Sequence, residues 1–122
     1  MPEKNAEGEL PIPVEWRSII YDIVEDIRNR DLRCREVLGC EITVDPADVD
    51  YIYQNVESYG DPLTRLSTEA WERSCYIWMG AHWELIVDLC TVTEGVSDLA
   101  LFLDVVDLGK KWRFTIKSAH VP

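Results

Sequence analysis

The sequence predicts an α+β fold, with helices in the N-terminal half packed on a C-terminal antiparallel meander of about four strands. Three observations predict it. Apolar residues recur at intervals of three and four along residues 13–28 and again along 45–60, the spacing of amphipathic helices. From residue 75 onward the interval becomes two, the spacing of strands. The strand segments follow one another through short connections, and helices precede strands rather than alternating with them. A roll of the nuclear-transport-factor or cystatin kind is one way to assemble that inventory.

Residues 1–11 read as a flexible lead, and residues 12–122 as one α+β domain. "PVEWRSIIYDIVEDIRNRD" opens a helix. Pro13 suits its first turn, where the missing N–H costs nothing. Trp16, Ile19, Ile20, Ile23, Val24 and Ile27 form one stripe. Glu15 early and Arg28 late match the helix dipole. Gly39 breaks the chain, and Glu41–Val44 suits a short strand. Asp45, Pro46 and Asp48 then give an N-cap, a first helical residue and a first-turn acid. Val49, Ile52 and Val56 face inward with Tyr53 and Tyr59, and Gly60 closes the helix. "LSTEAWERS" offers a short third helix capped by Ser67 or Thr68. Four strands follow, in "CYIWM", "HWELIVDLCTV", "DLALFLDVV" and "KKWRFTIKSAHV", with turns at Gly80-Ala81, Glu94-Gly95 and Leu108-Gly109.

Period-two counting divides the sheet into two faces. One holds Trp83, Leu85, Val87, Leu89, Leu99, Leu101, Leu103, Val105, Trp112, Phe114 and Ile116, all apolar, and must be the core. The other mixes His82, Glu84, Ile86, Asp88 and Cys90 with Ala100, Phe102, Asp104, Val106, Arg113, Thr115 and Lys117. Two-residue turns would set Asp104 opposite Arg113 and Asp88 opposite Phe102. This second face is either the solvated side of an antiparallel sheet or the lining of a cleft.

The 122 residues, 47% apolar with five Trp, suffice for one core. Net charge is −11. The excess sits in two blocks, Glu41–Asp61 and Glu84–Asp107, each with six acids and no Lys or Arg. That balance disfavours nucleic acid and anionic membranes, and it steers basic proteins inward. The polar, Pro-punctuated start lacks the features of a secretory signal, so a cytoplasmic location is expected. Four Cys without CxxC spacing are expected as free thiols.

No catalytic signature stands out. There is no phosphate-cradling Gly loop and no GxSxG elbow. "DPADVD" has its acids at the wrong positions for a calcium loop and reads as a helix cap. His82 with Glu84 is too small a set for a metal, and Cys75 with His82 is a weak nucleophile–base pair. No cofactor and no metal are expected. "WERSCYIWMGAHW" concentrates Trp71, Tyr76, Trp78, Met79 and Trp83, residue types enriched at protein interfaces.

The segments "PVEWRSII", "YGDPL", "EAWERSCYIWMG", "HWELIVDLCTVTEGVSDLALFLDV" and "HVP" resemble a family of small, mainly bacterial proteins catalogued only as a domain of unknown function. Cys90 stands where an aromatic residue would be expected. The resemblance implies a shared fold and carries no activity.

The expected function is therefore an acidic interaction domain, foremost an immunity-type inhibitor that neutralises a basic toxin. Tyr76, Trp78, Glu84, Asp88, Asp104 and Arg113 would form the partner surface. The alternatives are a small-molecule-binding or enzymatic roll with a carboxylate-lined pocket, and a self-associating accessory domain that forms a homodimer.

Overall fold

The computed structural model describes residues 2–4 and 8–122. In chain order the elements are α1 (Val14–Arg28), β1 (Arg35–Val37), β2 (Cys40–Val44), α2 (Pro46–Tyr59), α3 (Ala70–Arg73), β3 (Cys75–Trp78), β4 (Trp83–Thr91), β5 (Gly95–Asp107) and β6 (Trp112–His120). The strands form one six-stranded sheet in the order β1-β2-β6-β5-β4-β3. The α+β class holds. The expected four-strand antiparallel meander is β3 to β6, and β1 and β2 extend it. The β2–β6 pair is parallel, with Ile42 opposite Phe114 and Val44 opposite Ile116.

α1 buries all six residues of its stripe. Trp16 drives the packing. Its ring meets Tyr76, Trp83, Trp112 and Phe114 edge-on, with centroids 5.3 to 6.0 Å apart. Such edge contacts add to the area that a Trp removes from water. Past the end of α1, the Arg35 guanidinium grips both Asp26 carboxylate oxygens at 2.8 and 3.1 Å. Leu32 N–H donates to the Tyr53 hydroxyl at 2.8 Å, tying the chain after α1 to α2. α2 begins and ends as its residues dictate. Asp45 accepts from Ala47 N–H at 2.9 Å, and Gly60 closes the helix at φ 84°. Ile52 and Tyr53 are buried, while Asn55 donates to the Ala119 carbonyl of β6 at 3.0 Å. α1 and α2 thus share the core face of the sheet.

Four expectations need correction. α3 is a single turn with Glu69 at its N-cap position and no side-chain cap, so neither Ser67 nor Thr68 serves. β1 was not legible because its hairpin to β2 turns through Leu38-Gly39, both at positive φ (51° and 79°). That turn favours Asn or Asp where Leu38 stands, so the usual signal is missing. The β5–β6 connection is longer than Leu108-Gly109. Asp107 pairs with Trp112, and Leu108 N–H donates to Lys111 O at 2.9 Å. Asp104 consequently faces Thr115, and Arg113 faces Val106. On the other side Ile86 faces Phe102 and Asp88 faces Ala100.

The flexible lead expected at residues 1–11 lies partly outside the described residues, which omit 1 and 5–7. Leu10, within its described part, forms an antiparallel bridge with Tyr76. No described helix is long and apolar enough to cross a membrane.

Candidate functional site

Alternation along β4, β5 and β6 sends every second side chain away from the helices. The face so formed mixes apolar residues with charges. Ile77 of β3, Ile86 of β4, Phe102 of β5 and Val106 are its half-buried apolar members, and the Glu84–Asp104 pair runs between them. Ile86 sits directly opposite Phe102, and Phe102 stacks on the His120 ring at 4.3 Å and 7°. Neither α1 nor α2 covers these residues, because both are engaged on the core face.

Most of the charges on this face pair among themselves. Glu84 stands directly opposite Asp104, an unfavourable placement of like charges. The Lys117 ammonium answers it, with Nζ 3.8 Å from Asp104, and His82 Nε2 lies 3.6 Å from the same carboxylate. Lys117 reaches there because a bulge between Phe102 and Leu103 opposes an extra residue of β6. Asp88 is held by Arg73 of α3 at 2.9 Å. Partial burial pushes the Asp88 carboxyl up, and the Arg73 charge opposes the shift. At the other end, Glu41 of β2 accepts from Lys111 at 3.2 Å and Arg113 at 3.3 Å. These two cations hold the Glu41 carboxyl below its ordinary range.

Glu84, Asp88, Asp104 and Arg113 thus share the open face as expected, although Arg113 serves Glu41 rather than Asp104. Tyr76 and Trp78 do not join them. They lie on the core face, where Tyr76 is 4% exposed and Trp78 packs on Trp83 at 4.9 Å. Either parity of "CYIWM" is apolar or aromatic, so alternation does not decide which set turns inward. Trp16 decides it by drawing the Tyr76 ring to its own. Cys90 and Ala100, assigned to the open face, are both buried, Cys90 beneath the segment before α3. Thr64 N–H donates there to Cys90 O at 2.8 Å, and the Ser67 hydroxyl lies 3.5 Å from Cys90 Sγ.

The sequence reading missed one exposed aromatic. Tyr51 is 61% exposed on α2, in an outward stripe with Asp50, Gln54 and Glu57. The signal was present, since these positions lie opposite Ile52 and Val49 on a helical wheel. α2 holds no Lys or Arg, and among the described residues Asp48 and Asp50 have no ion-pair partner. The negative excess therefore shows itself on α2 more than on the open sheet face.

On the open face Asp88 and Asp104 have cationic neighbours, whereas Glu84 has none among the described residues. The Cys75 thiol, pushed up to about 11 mainly by burial, stays protonated at neutral pH. All four Cys are free thiols. Among the described residues no group of three His, Cys, Asp or Glu is disposed to hold a metal. Among the described residues, open clefts of about 280 to 350 Å³ lie elsewhere, lined by other residues than Glu84, Asp88 and Asp104.

Comparison with known proteins gives one finding. Residues 24–122 match the family described as a domain of unknown function (DUF7668), which takes in most of α1 past its middle and every strand. No curated protein and no solved structure matches the chain.

Proposed function

Since the chain belongs to the family described as a domain of unknown function (DUF7668), we propose its role from its own surface: a protein-interaction domain that docks a basic partner on the open face of its sheet. The observation that carries this reading is the set of half-buried apolar residues Ile77, Ile86, Phe102 and Val106, left bare by the helices and interspersed with Glu84, Asp88 and Asp104. A partner that covers these residues gains roughly 25 cal/mol per Å² of apolar surface removed from water. Its cations can replace Arg73 and Lys117 as partners of Asp88 and Asp104 and supply one for Glu84. The net charge of −11 accelerates the encounter. Immunity-type inhibition of a toxin is the specific form proposed, with the inhibitor acting by occlusion rather than chemistry.

The test is capture from a native-host extract on the immobilised full chain, at low and high salt, beside an Ile86→Glu variant. The expected result is a stoichiometric basic protein, released by high salt and absent from the variant. Equal capture by Ile86→Glu, or recovery of nothing beyond the chain itself, would remove the open face from the reading. Converting Glu84, Asp88 and Asp104 to their amides should slow association and flatten its salt dependence.

A second reading is favoured by the near balance of charge on that face, where Lys117, Arg73, Lys111 and Arg113 answer the acids. Two copies could meet there with little repulsion. Light scattering across a concentration series separates a homodimer from a monomer that waits for a partner.

A further inference from the structure

β3 lies at the margin of the sheet, where backbone donors and acceptors are free to pair with another strand. The N-terminal segment takes that position. Leu10 N–H donates to Tyr76 O at 3.0 Å, and Tyr76 N–H donates to Leu10 O at 2.8 Å. Further toward the N-terminus the same segment crosses the aromatic wall of the core face. Glu3 N–H donates to the Tyr76 hydroxyl at 2.9 Å, and the Trp83 indole N–H donates to Glu3 O at 2.9 Å. Pro2 is buried. The Lys4 ammonium lies 5.1 Å from the centre of the Trp78 ring and 5.8 Å from that of Trp83.

These are the contacts of a bound peptide. An added strand supplies main-chain hydrogen bonds, which recognise any extended segment. The indole N–H reads one main-chain carbonyl and fixes the register. A pair of Trp faces selects a cation, which the ring quadrupole attracts. Tyr76, Trp78, Trp83 and the β3 edge lie within residues 24–122, which match the family, whereas the segment seated on them lies outside.

We propose that the β3 edge with Tyr76, Trp78 and Trp83 is a peptide-binding groove for an extended, lysine-bearing segment of a basic protein, and that Pro2, Glu3, Lys4 and Leu10 occupy it as parts of a displaceable internal ligand. The groove is independent of the open sheet face, since its aromatic wall is on the opposite side. The lysine is what the surface asks for: two Trp rings in a chain of net charge −11.

The probe is a fluorescein-labelled peptide of residues 2–12, with and without Lys4→Ala, titrated against the full chain by anisotropy. Leu10→Pro removes the Leu10 N–H bond to Tyr76 and loosens the internal ligand. The expected result is labelled peptide binding about tenfold more tightly to Leu10→Pro than to the unaltered chain, with the Lys4→Ala peptide severalfold weaker. Lys4→Glu in the full chain loosens the same segment without touching the sheet and keeps the test intact if Leu10→Pro fails to fold. Equal binding to the folded loosened chains and the unaltered one would overturn the proposal, as would equal binding of the two peptides. Concentration-dependent dimerisation abolished by Leu10→Pro would also overturn it, naming a second copy as the occupant. Ile86→Glu should leave peptide binding unchanged, which separates this groove from the open face.

Discussion

The same strands β4, β5 and β6 present two faces that differ in what holds them. On one, Leu85, Val87, Leu89, Leu99, Leu101, Leu103, Val105, Phe114 and Ile116 are all at most 1% exposed under α1 and α2. On the other, Ile86, Phe102 and Val106 stay half-buried among ion pairs. The first face is held by removal of apolar area from water, which is non-directional and large. The second is held by paired charges at the surface, each pair worth little after solvent screening. The core face of β4 to β6 carries stability, and the open face contributes little to it, so substitutions on the two faces should differ in their cost.

The largest break in that contrast should come from Trp16→Ala. It empties the centre of the aromatic cage and should cost about 3–5 kcal/mol in a urea titration, with partner docking intact in the fraction that remains folded. Asp26→Ala should come next. It strands the Arg35 guanidinium behind α1, where the Asp26 side chain is 12% exposed, and should cost about 2 kcal/mol. A substitution off both faces gives the scale of a backbone effect. Leu38→Asn relieves a positive φ of 51° at an exposed position and should gain about 1 kcal/mol. On the open face, Phe102→Ser should stay within about 1 kcal/mol of the unaltered chain while abolishing capture of a partner.

Titration sharpens the comparison within the open face itself. The Asp88 carboxyl is raised in the fold by burial, so the folded state binds the proton more tightly than the unfolded chain. Its contribution to stability falls as pH rises from the ordinary Asp value through the raised one. Glu41 is lowered by Lys111 and Arg113, so its contribution is present above the ordinary Glu value and fades as pH falls through the lowered one. Carboxyl chemical shifts followed against pH should show Asp88 titrating above the ordinary Asp value and Glu41 below the ordinary Glu value. The opposite order would mean that the two ends of the face are not held as described.

What the sequence discloses follows from which interactions are local. The stripe of α1, the cap of α2 at Asp45 and its stop at Gly60 depend on residues a few positions apart, and each was legible. So was most of the membership of the two faces, which alternation determines along β4 and β5 except at Cys90, beyond the bulge after Asp88. Register was not, because "DLGKKW" admits turns of different length, and a shift of two residues keeps each side chain on its face while changing its partner. Arg113 shows the result: right face, wrong acid. The parallel β2–β6 pair was hidden because nothing near residue 42 refers to residue 114. Tyr76 was misplaced because its inward turn depends on Trp16, sixty positions away in the chain.

That long reach has a consequence in time. β3 to β6 can zip from one hairpin to the next, closing short loops at small entropic cost. β2 has only the short hairpin to the three-residue β1 beside it in the chain. Its only long partner is β6, so the whole stretch from α1 through α2 gains its place in the sheet once β6 is already laid against β5. Folding should therefore proceed from the C-terminal hairpins toward the N-terminal helix, the reverse of chain order. Substitutions at Ile42 or Val44 should then speed unfolding and leave the folding rate nearly untouched, whereas Leu101 and Leu103 should govern the folding rate.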